Sequence, residues 1–93
     1  MEFNELLDRL IPEVTLETKD SYSKPLVKEI GSMVRAYRKR RGISQIQLSR
    51  KSGISQANIS KFENGEYNIS LSQLERLIRA LNAHIVMEVK PNE

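Results

Sequence analysis

The sequence of 93 residues contains no cysteine and only one histidine, His84. Without cysteine the chain can form neither disulfides nor thiolate metal sites, and one histidine does not make a metal cluster alone. Neither a Ser–His–Asp set nor a Cys–His set can be assembled, and no glycine-rich loop cradles a phosphate. We therefore predict that the protein is not an enzyme and carries no catalytic residues, metal or cofactor.

Long apolar runs are also lacking. None approaches the roughly 18–20 residues that span a bilayer. The N-terminal stretch MEFNELLDRL lacks the basic and then apolar pattern of a secretory signal. These absences predict a cytoplasmic protein with no membrane contact. The length favours a single domain, whose core must be compact or completed by a second copy.

Negative charge is missing from the centre of the chain. No acidic residue occurs from Ile30 to Phe62, whereas eight cations do: Arg35, Arg38, Lys39, Arg40, Arg41, Arg50, Lys51 and Lys61. Residues 1–24 instead hold six acids against three bases, a net charge of −3. The centre therefore suits a polyanion, and the front of the chain does not.

The first 24 residues have weaker patterns. Residues 3–11, FNELLDRLI, have the spacing of a short amphipathic helix that Pro12 would end. Residues 14–18, VTLET, alternate like a short strand, and residues 19–24 form a turn or linker. We interpret residues 1–24 as an N-terminal arm.

Helical spacing becomes regular from Pro25 onward. The first helix of this region begins at Pro25 and ends at Gly42. Its apolar stripe consists of Leu26, Val27, Ile30, Met33, Val34 and Tyr37. A capping box formed by Ser44 and Gln47 then predicts a second helix over residues 45–52, which stops at Gly53.

The third predicted helix is capped by Ser55, runs over residues 56–64 and is closed by Gly65. Two short helices joined around a glycine are typical of a helix-turn-helix. The side chains that would hold the two helices together are Leu48, Ile59 and Phe62.

A fourth helix is predicted after Ser70, and Asn82 can take the left-handed conformation that ends it. Its buried stripe consists of Leu71, Leu74, Leu77, Ile78 and Leu81.

The last residues, HIVMEVK at 84–90, have strand periodicity with Ile85, Met87 and Val89 on one face. A lone strand leaves backbone groups unpaired. This strand would therefore pair with residues 14–18 of its own chain, with the same strand of a second subunit, or with both.

Residues 26–82 resemble the Xre/Cro helix-turn-helix family of the phage repressors. The markers that carry the resemblance are Ser44–Gln45, Leu48, Gly53, Ser55–Gln56, Ile59 and Glu63–Asn64–Gly65. Two positions depart from the pattern: Ser49 stands where alanine is usual, and Ile46 where a polar residue is common. The resemblance implies a mainly α, lambda-repressor-like bundle of four to five helices, followed by the C-terminal β-strand. The helix-turn-helix DNA-binding domain would be residues 25–83, and residues 84–93 would form the dimerisation strand.

The resemblance also implies roles for individual residues. The third helix would lie in the major groove of double-stranded DNA and contact bases through Gln56, Ala57, Asn58, Ser60 and Lys61. Glutamine can pair with adenine, lysine can donate to guanine, and alanine can rest against a thymine methyl. Phosphate contacts would come from Gln45, Arg35, Arg40, Arg41, Arg50, Lys51 and Asn64. A structural ion pair is expected between Arg38 and Glu63.

These roles predict a sequence-specific transcriptional regulator, a repressor that binds an inverted-repeat operator as a homodimer. Hig- and Hip-type antitoxins share this domain, so the autoregulatory antitoxin of a toxin protein and a stand-alone repressor both remain open. A helix-turn-helix that serves as a protein–protein scaffold, without specific DNA readout, is the alternative from another class.

Overall fold

The structure, a computed structural model, describes residues 25 to 92 and is mainly α, as predicted. Its helices are α1 (Leu26–Arg40), α2 (Gln45–Ser52), α3 (Gln56–Glu63) and α4 (Leu71–Ala80). The helix expected at 3–11 and the strand expected at 14–18 lie outside the described residues. No helix in the described range is long and apolar enough to cross a membrane.

Three of the helices begin at the serines that the sequence indicates. The hydroxyl oxygens of Ser44, Ser55 and Ser70 each accept the backbone N–H three residues later. At Ser44 and Ser70 the side chain of the glutamine three residues later also accepts a hydrogen bond from the serine backbone N–H, which completes a capping box. The starts of α2, α3 and α4 are therefore fixed by bonds within one helical turn.

The helix ends also follow the predicted pattern, with one small difference. Gly53 ends α2 with a φ of 73°, and Asn82 follows α4 with a φ of 56°. The left-handed region favours glycine and tolerates asparagine. α3 ends at Glu63 rather than Asn64, which is instead its C-terminal cap.

A single apolar core joins the helices. It is formed by Val34, Leu48, Ile54, Ile59, Phe62, Leu74, Leu77 and Leu81. Leu71, predicted in the buried stripe of α4, is 80% exposed, and Leu26, in the apolar stripe of α1, is 52% exposed. Each is the first residue of its helix, at the edge of the stripe, where the core does not cover it.

The backbones of α1 and α3 come close together at Gly31. A Cβ atom built on Gly31 would clash with the carbonyl oxygen of Phe62. Only glycine lets the two helices approach this closely. This contact holds the C-terminal end of α3 against α1, while α2 contacts both α3 and α4.

The predicted C-terminal strand is absent from the described residues: residues 83 to 92 form neither strand nor helix. A strand needs a second strand to pair with its N–H and C=O groups, and no strand lies beside this segment in the described residues. Its apolar side chains face solvent, with Val86 82%, Met87 77% and Val89 91% exposed.

Candidate nucleic-acid interface

One side of α3 is turned away from the core and is polar. Ile59, Phe62 and Glu63 point inward, whereas Gln56, Ala57 and Lys61 are exposed. The other two side chains predicted to contact bases, Asn58 and Ser60, are half-buried. The predicted amide-bearing surface thus exists, with Gln56 at its start and Lys61 near its end.

Exposed cations lie on α1 and α2, the two helices that contact α3. Arg35, Arg40, Arg50 and Lys51 are exposed, and Arg41 is half-buried with a partner of its own. Arg35 lies one turn after Gly31, the point where α1 meets α3. Cations on the helices next to an exposed polar helix are suited to a phosphate backbone with bases between its strands.

Arg38 and Glu63 are brought together by the fold. The Arg38 Nε and Nη2 atoms each donate to a carboxylate oxygen of Glu63 at 2.8 Å, and Nη1 donates to the carbonyl of Ile43 at 2.9 Å. Both side chains are buried, 9% and 1% exposed. The hydrogen bonds to Glu63 raise the pKa of the Arg38 guanidinium against the opposing effect of burial, and the attraction between the charges adds to the rise.

Gln45 connects this ion pair to the start of α2. Its side-chain Nε2 donates to Glu63 Oε1 at 3.1 Å, so one of its two N–H groups is engaged within the protein. The backbone N–H groups of Gln45 and Ile46 have no hydrogen-bond partner among residues 25 to 92. The first turn of α2 therefore presents free donors at the positive end of its helix dipole.

The backbone N–H groups around Asn64, one of the predicted phosphate contacts, are bonded within the protein. The N–H groups of Asn64, Gly65 and Glu66 donate to carbonyls of Ser60, Phe62 and Lys61. These amides are occupied because the chain closes α3 with a tight turn. Only the exposed side chain of Asn64 remains available.

The turn between α2 and α3 is held by side chains. Arg76 on α4 donates from Nε and Nη2 to the carbonyl of Ser52, at 3.1 and 2.8 Å. The hydroxyl of Ser49 donates to the carbonyl of Ile54 at 2.6 Å, and the Ile54 N–H donates to Ser52 Oγ at 3.2 Å. Three side chains, those of Ser49, Ser52 and Arg76, thus hold the backbone of this turn in place.

Two residues of this region were not indicated by the sequence. Lys28 lies against Gly65, with its Cγ 2.9 Å from a Cβ built there, but it falls outside the acid-free stretch. Arg76 is separated from Ser52 by 24 positions. No local pattern reports such a contact, because it depends on how α4 packs on α2.

Comparison with known proteins places this geometry in a family. A family model described as helix-turn-helix matches residues 34–86. The chain is 36% identical over 56 residues to the immunity repressor protein of Bacillus phage phi105 (60% of this chain, 39% of the relative). It is 44% identical over 57 residues to the competence pilus inhibition repressor of Acinetobacter baylyi (61% and 52%). The chain thus spans about half the length of these relatives or less.

A solved structure is similar as well. The restriction-modification controller protein C.AhdI from Aeromonas hydrophila superposes with a TM-score of 0.61 at 29% identity, over 62% of this chain and 88% of that one. Residues 34–86, which the family model matches, include the turn at Gly53 and all of α2 and α3. From its sequence, its fold and these similarities, the chain belongs to the Xre-like helix-turn-helix family.

Proposed function

We propose that the protein is a sequence-specific DNA-binding transcriptional regulator that acts as a repressor. The observation that carries the proposal is the exposed polar side of α3, which the core holds in place between helices α1 and α2 that carry exposed cations. The names of the two curated relatives, both repressors, support the same reading. With α3 in the major groove, Gln56, Ala57 and Lys61 meet base edges, and Asn58 and Ser60 lie beside them.

The phosphate contacts of this proposal divide into two groups. The free N–H groups at the start of α2, with the Gln45 side chain, bind one phosphate. The exposed cations Arg35, Arg40, Arg50 and Lys51, together with Arg41, Lys28 and the side chain of Asn64, bind the neighbouring ones. Each neutralised phosphate steepens the salt dependence of binding by about 0.9 in the log–log slope.

The protein acts as a homodimer on an inverted-repeat operator of double-stranded DNA. Ile85, Met87 and Val89 are exposed at alternating positions in a segment that forms no strand within the described residues. Pairing this segment with its copy would satisfy the backbone and bury the apolar side chains. The two DNA-binding domains of the dimer would then bind half-sites about 34 Å apart.

The dimer is tested by sedimentation equilibrium. The wild-type protein should sediment as a dimer, and the variant carrying Met87→Lys and Val89→Lys as a monomer. Glu88→Lys, whose side chain lies on the opposite face of an extended segment, serves as the control and should remain dimeric. A wild-type monomer, both free and on DNA, would exclude this arrangement.

DNA readout is tested by selecting an operator from random DNA and measuring binding isotherms at several salt concentrations. A repressor should prefer the selected site by at least about 10³-fold over random DNA. The alternative, a protein–protein scaffold, should bind all DNA weakly and without preference. The two functions therefore differ in an observable that does not depend on knowing the operator beforehand.

The narrower role of an autoregulatory antitoxin is supported by the acidic first 24 residues, whose net charge of −3 does not suit DNA. Such a segment suits a protein partner, namely a toxin. Mixing the purified protein with the product of the adjacent gene tests this role. Co-elution supports the antitoxin, and separate elution supports a stand-alone repressor.

A further inference from the structure

We propose that Arg76 is a positioning residue for the DNA contact. Together with Ser49, it fixes the turn between α2 and α3 and thereby sets the orientation in which α3 offers Gln56 to the bases. The inference rests on the DNA binding proposed above. It assigns a role in sequence discrimination to a residue of α4, which carries none of the predicted base or phosphate contacts.

The first step concerns the end of α2. Ser52 is its last residue, and the carbonyls at a helix C-terminus have no partner within the helix. Arg76 supplies two donors to the Ser52 carbonyl, at 3.1 and 2.8 Å. Its positive charge also complements the negative end of the α2 dipole. The end of α2 is thereby tied to α4.

The second step concerns the other side of the turn. Ser49 Oγ donates to the Ile54 carbonyl at 2.6 Å, and the Gly53 N–H donates to the Ser49 carbonyl at 2.9 Å. Ile54 directly precedes Ser55, the cap of α3. A bond at Ile54 therefore sets the direction in which α3 leaves the turn.

The third step concerns the effect of this turn on DNA readout. Gln56 is only two positions after Ile54, so any movement of the turn displaces it directly. A bidentate contact to a base requires heavy atoms within about 2.7–3.2 Å, so a shift of about 1 Å breaks it. Long cationic side chains reach a phosphate over a wider range. Loosening the turn should therefore reduce discrimination between sequences more than it reduces electrostatic attraction.

The experiment compares Arg76→Met, Arg76→Lys and Ser49→Ala. Arg79→Met is the matched control, because Arg79 lies on the same helix and its ion pair is an exposed one with Glu75. For each variant, affinity is measured for the selected operator and for random DNA at several salt concentrations. Hydrogen exchange of the Gly53 and Ile54 amides reports the turn itself. If Arg76→Met does not fold, Ser49→Ala and Arg76→Lys still test the proposal.

We expect Arg76→Met to lower the ratio of specific to non-specific affinity by about tenfold or more, the scale of one charge-assisted hydrogen bond. Ser49→Ala removes a neutral hydrogen bond and should lower the ratio by about two- to tenfold. The salt slope should not change, exchange at Gly53 and Ile54 should accelerate, and Arg76→Lys should keep most of the ratio. A slope shallower by about 0.9 in Arg76→Met would instead identify a phosphate contact. An unchanged ratio would leave Arg76 purely structural.

Failure of this proposal is distinguishable from failure of the proposed function. Wild-type protein that does not distinguish the selected site from random DNA would overturn the repressor function. Wild-type protein that does distinguish them, combined with an unchanged ratio in both Arg76→Met and Ser49→Ala, would overturn only the positioning role.

Discussion

Arg38 on α1 and Glu63 at the end of α3 are joined by two hydrogen bonds of 2.8 Å. The pair neutralises the one acid of α3 beside an otherwise cationic surface, and Gln45 of α2 donates to the same carboxylate. Three helices therefore meet at Glu63. The ion pair is buried, so its two members depend on each other far more than an exposed pair would.

Arg38→Met should lower the free energy of unfolding by about 3–5 kcal/mol, because it leaves a buried carboxylate without its cation. Adding Glu63→Gln should restore part of the loss by removing that charge. Urea denaturation measures both effects. Arg79→Met removes a cation from an exposed pair and should change stability by less than about 1 kcal/mol. Equal losses in Arg38→Met and Arg79→Met would contradict the buried pair.

Gly31→Ala should destabilise the protein by about 1–3 kcal/mol or more, because its Cβ would clash with the Phe62 carbonyl oxygen. Gly42→Ala separates this steric effect from backbone conformation. At Gly42 nothing lies within 4 Å of a Cβ, but φ is 71°. Gly42→Ala should therefore lower the free energy of unfolding by about 1–2 kcal/mol. Thermal unfolding compares the two, and a Gly31→Ala variant as stable as wild type would show that α1 can move away from α3.

Gln56→Ala should relax the preference for one base pair by about 1–3 kcal/mol and leave the salt slope unchanged. Arg50→Ala should weaken all DNA alike and reduce the slope by about 0.9. Binding isotherms on the selected site and its single-base variants measure both. Arg79→Ala removes a positive charge from α4 and should alter neither the base-pair preference nor the salt slope. A changed slope in Gln56→Ala would argue against its base-facing role.

Ser44→Asp should keep the helix cap, since aspartate caps as well as serine does. It should nevertheless weaken DNA binding by about tenfold, because the new charge lies beside the free N–H groups that meet a phosphate. Ser70→Asp is the control, with the same cap chemistry at the start of α4. We expect both variants to melt near the wild-type temperature and only Ser44→Asp to bind DNA weakly. Equal DNA affinity in the two variants would place the phosphate elsewhere.

Much of this structure could be predicted because its signals are local. Ser44 with Gln47, the turn at Gly53 and the left-handed Asn82 each report a boundary within a few residues. The arrangement at Arg76 and the contact at Gly31 could not be predicted this way, because each joins residues distant in sequence. Leu71 was misjudged for a related reason: periodicity identifies a stripe but not where the neighbouring helices stop covering it.

The C-terminal segment also affects how the protein behaves at high concentration. An exposed apolar segment with open backbone groups attracts other extended chains indiscriminately. Here Glu88 and Lys90 flank Val89, with their charged atoms 3.7 Å apart. Such interspersed charges disfavour open-ended fibrils while they tolerate a single two-fold pairing. Neutralising both of them should therefore make the protein precipitate at a lower concentration than the wild type does.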